Sequence, residues 1–348
     1  MICSIDFGRY QTRSLAIDAG GVRPLHSAQV NSTYLAFPGT AVLRQALAAQ
    51  RVSVLSCGDD LLVAGTDQAQ VRGLCQQPPV PLFPGGRVPR EDAAARQLLY
   101  LLTQTMLPEP ESASDVCILT VPAHSSGPDE EGTEFLERLI RMRGYQPRLL
   151  GAAEAAMLSE SHQSRFSGVS AVMGAEASSV CVARHGLVYA TDTLSVSGNA
   201  IDRQIAHQFS MYTWDAAGIS YPDFERIRVW RQGLGEEQGF LRNTQVSKLV
   251  EILSDSVACL ATSVLEAVAE GLSDLNPQET IPVVLAGGVS RTPRLTDLLA
   301  DELRLQSGQR LRFHVRLAEQ PELAVVRGGL VYGMLDSRST AVSSERAA

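Results

Sequence analysis

The stretch SAVMGAEASSVCVARHGLV, residues 170–188, decides how the chain is read, because an earlier stretch has the same shape. CSIDFGRYQTRSLAIDAGGV, residues 3–22, is likewise an apolar run, a glycine turn, a second apolar run and another glycine turn. A shift of 166 positions carries Gly8 onto Gly174 and Asp6 onto Val172. Self-similarity at this distance argues for two related domains rather than one large sheet. Where the first copy places a carboxylate before its turn, the second places valine.

Outward from the two turns, strands alternate with helices. VCILTVP (116–122) and PVVLAGG (282–288) are continuous apolar runs of the kind that form fully covered strands. Helices are expected over 90–106, 129–143, 152–161, 199–209 and 292–305, with a short closing helix over 321–335. Residues 20–75 read as small strands and loops. The clearest amphipathic helix is 244–272, with Leu249, Leu253, Val257, Leu260, Val264 and Val268 at threes and fours. This pattern predicts an α/β fold with mixed sheets, since each half opens on an antiparallel hairpin. The first lobe is expected over 1–150. The second is expected over 151–336, with a small subdomain near 210–245, and 337–348 as a disordered tail. A ligand cleft between the lobes is the expected site.

The chain of 348 residues is long enough for two domains, each with its own core. A formal net charge of −8 argues against broad nucleic-acid or anionic-membrane binding. Lys248 is the only lysine, so phosphate chemistry elsewhere must rest on arginine or backbone. Six scattered cysteines without a C-x-x-C pair read as buried free thiols in a reducing compartment. No basic-then-apolar leader and no apolar run of about 18 residues is present, so a cytoplasmic protein without membrane insertion is expected.

The glycine turns suggest chemistry. Gly8 and Gly174 let backbone approach a ligand, and two such turns can aim N–H groups at a phosphate chain. Asp6 is placed to hold Mg²⁺ through water, and Val172 is not. Gly287 and Gly288 end a buried strand, where a flat purine can lie against backbone with Ser290 and Arg291 at its edge or the ribose.

In order and spacing, these segments resemble the superfamily of actins and heat-shock chaperone ATPases, and within it bacterial actins and the DnaK-type nucleotide-binding domain. IDFGRYQTRSLAI resembles the family's first phosphate loop and PLFPGGRVPRED its bacterial-actin stretch. VSGNAIDRQIAHQF is similar to the G-G-x-x-x-D segment, PVVLAGGVSRTPRL to the adenosine motif, and PELAVVRGGLVYG to the closing helix. The resemblance implies two actin-like (ribonuclease-H-like) domains and ATP or ADP with Mg²⁺. It also implies nucleotide contacts at Asp6, Gly8, Arg9, Gln11, Thr12, Gly174, Gly198, Gly287, Gly288, Ser290 and Arg291. Glu225 and Arg228 resemble the family's E-x-x-K that touches adenosine.

The chain departs from the family where hydrolysis is performed. The second loop, normally D-x-G-x-G-T-T-D, reads Val172 through Ser179, with Glu176 at the second glycine. The connecting helix begins at Ala152 where the family has glutamate, and Glu154 stands two residues later, about 200° around a helix axis. Loss of a water-positioning group costs about 10²- to 10⁴-fold in rate. The expected function is an actin-like nucleotide-binding protein that forms filaments or scaffolds, with weak or absent hydrolysis and no confident catalytic residue. Its partner is then a second copy of itself, head to tail, or another cytoplasmic protein. A DnaK-like ATPase module working with a separate partner and a nucleotide-free adaptor are the competing readings. His124 reads as a loop histidine, and Trp214 and Trp230 as core or interface anchors.

Overall fold

The structure is a computed structural model and describes residues 1–18, 25–74, 78–121, 129–215, 217–234, 240–271 and 279–347. His124 and Cys75 lie outside the described residues. Two compact units are present. The first comprises the described residues up to Arg148 together with Thr213–Tyr221, and the second comprises Leu149–Tyr212 and those from Pro222 onward. The 210–245 stretch, expected as a subdomain of the second lobe, is therefore divided between the units.

The first unit runs β1 (Ile2–Phe7), β2 (Gln11–Ile17), β3 (His26–Asn31), β4 (Thr33–Pro38), α1 (Ala41–Ala49), β5 (Leu55–Cys57) and β6 (Asp60–Ala64). It continues through α2 (Gln68–Val71), β7 (Val80–Pro81), α3 (Ala93–Met106), β8 (Val116–Thr120), α4 (Glu130–Arg143) and β9 (Gln146–Leu149). Its main sheet has the order β3-β2-β1-β8-β9, and a smaller sheet the order β5-β6-β4-β7. Asp92 caps α3 by accepting from Ala95 N–H, and Asp129 caps α4 by accepting from Gly132 N–H. Asp129 also accepts from Val88 N–H at 3.1 Å, which ties the PLFPGGRV segment to the start of α4. Phe83 of that segment packs edge-on against Phe7 at the end of β1. The helix α1 falls in a stretch read as strands and loops. Thr40 starts it by accepting from Leu43 N–H, and its alanines carry it.

The second unit runs α5 (Ala152–Glu160), β10 (Gly168–Met173), β11 (Ser178–Arg184), β12 (Leu187–Leu194), α6 (Gly198–Phe209), β13 (Tyr212–Trp214) and β14 (Ser220–Pro222). Then follow α7 (Phe224–Gly233), α8 (Phe240–Gly271), β15 (Thr280–Ala286), α9 (Leu295–Gln306), β16 (Arg312–Leu317) and α10 (Ala324–Ala347). Its sheet has the order β12-β11-β10-β15-β16, the same pattern as the first, with an antiparallel hairpin beside two parallel strands. Val169, Val180, Leu253, Leu260, Val264, Leu285 and Leu299 lie in one buried core.

Thr244–Gly271 within α8 is, among the described residues, the one helix long and apolar enough to cross a membrane by composition. Its apolar side chains fill the core of this unit instead. On the sheet's other face α5 packs on α10 so closely that a Cβ on Gly328 would collide with the Ala155 carbonyl oxygen.

Three expectations are corrected. The helix placed at 292 starts at Leu295, because Arg294 is left-handed (φ 68°) and a short 3-10 turn, Gly288–Arg291, precedes it. The tail expected to be disordered continues α10 to Ala347, since no glycine or proline follows Gly333 to stop it. Cys3, Cys117 and Cys181 are buried thiols as expected, but Cys259 is exposed on α8.

Candidate functional site

The repeat seen in the sequence is a repeat of register. In the first hairpin Ile2 pairs with Ile17 and Phe7 with Thr12; in the second Gly168 pairs with Ala183 and Met173 with Ser178. Each pair is displaced by 166. The parallel neighbours obey the same shift: Asp6 lies beside Thr120, and Val172 beside Ala286. Both turns close tightly on their glycine. A Cβ on Gly8 would strike the Gln11 carbonyl oxygen, and one on Gly174 would come within 2.7 Å of the Ala177 carbonyl oxygen.

This register puts three polar side chains together in the first unit. Asp6 is flanked by Arg13 on β2 and Thr120 on β8. Thr120 Oγ1 donates to Asp6 Oδ1 at 2.7 Å, and an Arg13 guanidinium nitrogen lies 4.0 Å from Oδ2. The Asp6 side chain is 15 % exposed. Burial holds its carboxyl above the ordinary value, against the opposing pull of Arg13 and the Thr120 hydroxyl. The shifted positions in the second unit are Val172, Ser179 and Ala286. The first hairpin keeps a charged pair beside a threonine of β8, and the corresponding positions of the second unit hold no charge.

Gln11 accepts from Arg13 at 2.6 Å and donates to Asn31, so it braces the arginine. Arg9 is half-buried within the turn itself. Thr12 is not offered to a ligand as expected. The two-residue period of β2 puts Thr12 and Ser14 on the buried face. Ser32 donates its hydroxyl to the Gly8 carbonyl at 2.6 Å, so Thr12 donates to Ser32 at 2.9 Å. Both hydroxyls hold the turn from behind.

In the second unit the motif residues converge in one hydrogen-bonded network. The N–H groups of Gly198 and Asn199 donate to the carbonyls of Gly174 and Ala175, stitching the start of α6 to the turn. Asn199 Nδ2 donates to Glu176 Oε2 at 2.7 Å, and Asn199 Oδ1 accepts from Arg228 at 2.8 Å. Asp202, fully buried, accepts from Arg228 Nε at 3.2 Å and from Arg231 Nε at 3.0 Å. Arg231 reaches on to Thr292 Oγ1 and the Val289 carbonyl, and Gln232 Nε2 to the Gly288 carbonyl. Burial pushes the Arg231 guanidinium down, and Asp202 opposes that shift.

The adenosine motif differs in detail from expectation. Gly287 donates its N–H to the Pro321 carbonyl, and Gly288 has open space where a Cβ would be. Ser290 is buried and returns its hydroxyl to the Gly287 carbonyl at 2.6 Å, because the 3-10 turn folds it back under the glycines. Arg291 is partly exposed and ion-paired with Glu322. Glu225 is exposed at the start of α7, while Arg228, one turn later, enters the network. Sequence reading passed over Arg13, Thr120, Asn199 and Arg231. Arg13 and Thr120 were one strand away from Asp6, and register, which residue patterns alone do not state, brings them together.

Ala152 opens α5, and Glu154 sits in its first turn with its carboxyl raised by burial and restrained by the Gly151 N–H. For Mg²⁺ the fit is one-sided. Asp6 Oδ2 faces the Gly8 turn, 3.8 Å from where a Cβ on that glycine would stand, so it is placed to take a metal-bound water. The second turn offers Glu176, which is spent on Asn199. Among the described residues no cluster of three or more His, Cys, Asp or Glu side chains is arranged to hold a metal.

Residues 1–332 match the Volactin family. The chain belongs to that family. No curated protein matches it in sequence. The fold is actin-like. The MamK double helical filament is 14% identical with a TM-score of 0.64, over 95% of this chain and 98% of that one. MreB 5 of Spiroplasma citri bound to AMPPNP is 13% identical with a TM-score of 0.60, over 98% of each chain. The ethanolamine utilization protein EutJ from Carboxydothermus hydrogenoformans is 14% identical with a TM-score of 0.54, over 95% and 89%. At these identities the likeness concerns the fold alone.

Proposed function

We propose that this volactin-family chain is an actin-like nucleotide-binding protein that assembles with itself as a filament or scaffold and hydrolyses ATP slowly or not at all. The observation that carries the reading is the asymmetry of the duplicated hairpins. Asp6 and Arg13 stand in one, beside Thr120 of β8, and Val172 and Ser179 occupy the same register in the other, beside Ala286 of β15. A carboxylate kept under a glycine turn at the expense of burial is worth keeping for a ligand, and Mg²⁺ with the phosphates of ATP or ADP suits it. Arg9 and the Gly8 backbone are the further phosphate contacts, and Gly287 and Gly288 the adenosine surface.

Hydrolysis is the part given up. Val172 replaces the carboxylate that precedes the second turn in the actin superfamily, and Glu154 stands about 200° around the helix from the position occupied by Ala152. Glu176 adds a negative charge there but is tethered to Asn199. Filament formation by MamK and AMPPNP binding by MreB 5 support the assembly and nucleotide parts of the reading as analogies.

Sedimentation of the purified chain with and without Mg-ATP tests the assembly claim. Nucleotide-dependent pelleting is expected. A chain that stays monomeric at every concentration, with or without nucleotide, contradicts it.

A further inference from the structure

The second unit carries opposite charge at the two ends of its sheet. At one end is β16, the outer strand beyond β15. Phe313 and Val315 face the core beneath α9, while Arg312 and His314 are exposed on the alternate face, with Arg310 exposed just before them. At the other end α8 lies over β11 and β12. Its solvent side presents Glu251, Asp255, Glu266 and Glu270, all exposed and within roughly 100° of one another around the axis. Among the described residues none of these four acids, nor Arg310 or Arg312, is in an ion pair.

We infer that these two surfaces meet between copies of the chain, the basic edge of one second unit against the acidic helix face of the next. Arg310 and Arg312 lie about 7 Å apart along the chain and the acidic stripe runs about 29 Å, so the two arginines can sit against part of it. An arginine-bearing edge repels a second copy of itself, which is how exposed sheet edges avoid pairing. That repulsion disfavours an in-register parallel β16–β16 contact, and the charge complementarity with α8 favours a heterologous one. A heterologous contact between opposite ends of one body repeats without closing unless its rotation returns to the start. With a net charge of −8, two copies repel at long range, so the attraction must be local and sensitive to salt. The inference rests on the self-assembly reading above and names the surfaces that reading leaves open.

Charge reversal with complementation tests it on the full-length chain. One variant carries Arg310→Glu and Arg312→Glu, the other Glu251→Arg, Asp255→Arg and Glu266→Arg. Each alone should lose the sedimenting fraction seen for the unaltered chain, and the unaltered chain should lose it at high ionic strength. An equimolar mixture should recover it, because each variant's reversed face then meets an opposite charge. Pelleting of either variant alone, or a mixture that stays soluble while the unaltered chain pellets, overturns these surfaces and leaves self-assembly standing. An unaltered chain that never pellets overturns both.

Discussion

Arg231 Nε and Asp202 Oδ1 are 3.0 Å apart, and both side chains are shut off from water. Arg228 takes the other oxygen of Asp202 at 3.2 Å, so one carboxylate on α6 fixes two arginines one turn apart on α7. Through them it fixes the second turn at Glu176 and the glycine loop at Val289. Asp202→Ala removes the carboxylate that neutralises two guanidinium groups, one of them fully buried, and should destabilise the second unit by ~3–5 kcal/mol. Urea unfolding checks this. A loss well under ~1 kcal/mol would mean that water reaches Arg231 and repairs the gap.

Gly328 stands where α10 crosses α5. Gly328→Ala should cost about 1–3 kcal/mol, because the added methyl must push Ala155 and its helix away. The thermal midpoint is the readout. An unchanged midpoint would show that the two helices part without strain.

Asp6 gives a pH signature. Burial raises its folded carboxyl above the unfolded value, so its protonated form is the one favoured by folding. The associated stability is present below the unfolded value and is lost as pH rises through the raised folded value. At neutral pH the ionised group is a net burden, eased by Arg13 and Thr120. Asp6→Asn should therefore be more stable than the unaltered chain at neutral pH, with the gap closing as pH falls towards that of free aspartic acid. A less stable Asp6→Asn at neutral pH would mean that the Arg13 and Thr120 contacts outweigh burial.

The architecture was legible because glycine turns and apolar runs are local signals, and a shift of 166 could be counted directly. The helices over 90–106 and 129–143 were legible from their apolar residues, Leu98, Leu99, Leu101 and Leu102 in one and Phe135, Leu136, Leu139 and Ile140 in the other. α1 was missed because a short alanine-rich segment between strands has neither periodicity nor a glycine stop. At the site, the sequence singled out Asp6 and the glycine turns, while the Thr12 and Ser290 hydroxyls, expected at a ligand, bond within the fold instead. Both are hydroxyls beside a glycine turn, and only the pleat of β2 and the 3-10 turn after Gly287 show that they point inward. The Asp202–Arg231 pair joins residues 29 apart, and no spacing rule connects them.

Introducing acids at the two positions tests the proposal that hydrolysis is slow or absent. Val172→Asp and Ala152→Glu together should raise phosphate release on the order of 10²-fold, the lower end of what a positioned acid–base group contributes. No gain would mean that the Glu176–Asn199 tether, rather than the lost carboxylates, holds the turn inactive. Adding Glu176→Gly would then be the decisive change.

The most direct measurement is calorimetric titration of the chain with Mg-ATP, beside its Asp6→Ala variant, with phosphate release followed on the same samples. The account predicts saturable binding by the unaltered chain, negligible release, and weaker binding by the variant. Absence of binding at millimolar nucleotide would contradict it and favour an adaptor whose site is closed by its own side chains. Steady release would contradict it in the other direction, by showing that the second hairpin needs no carboxylate.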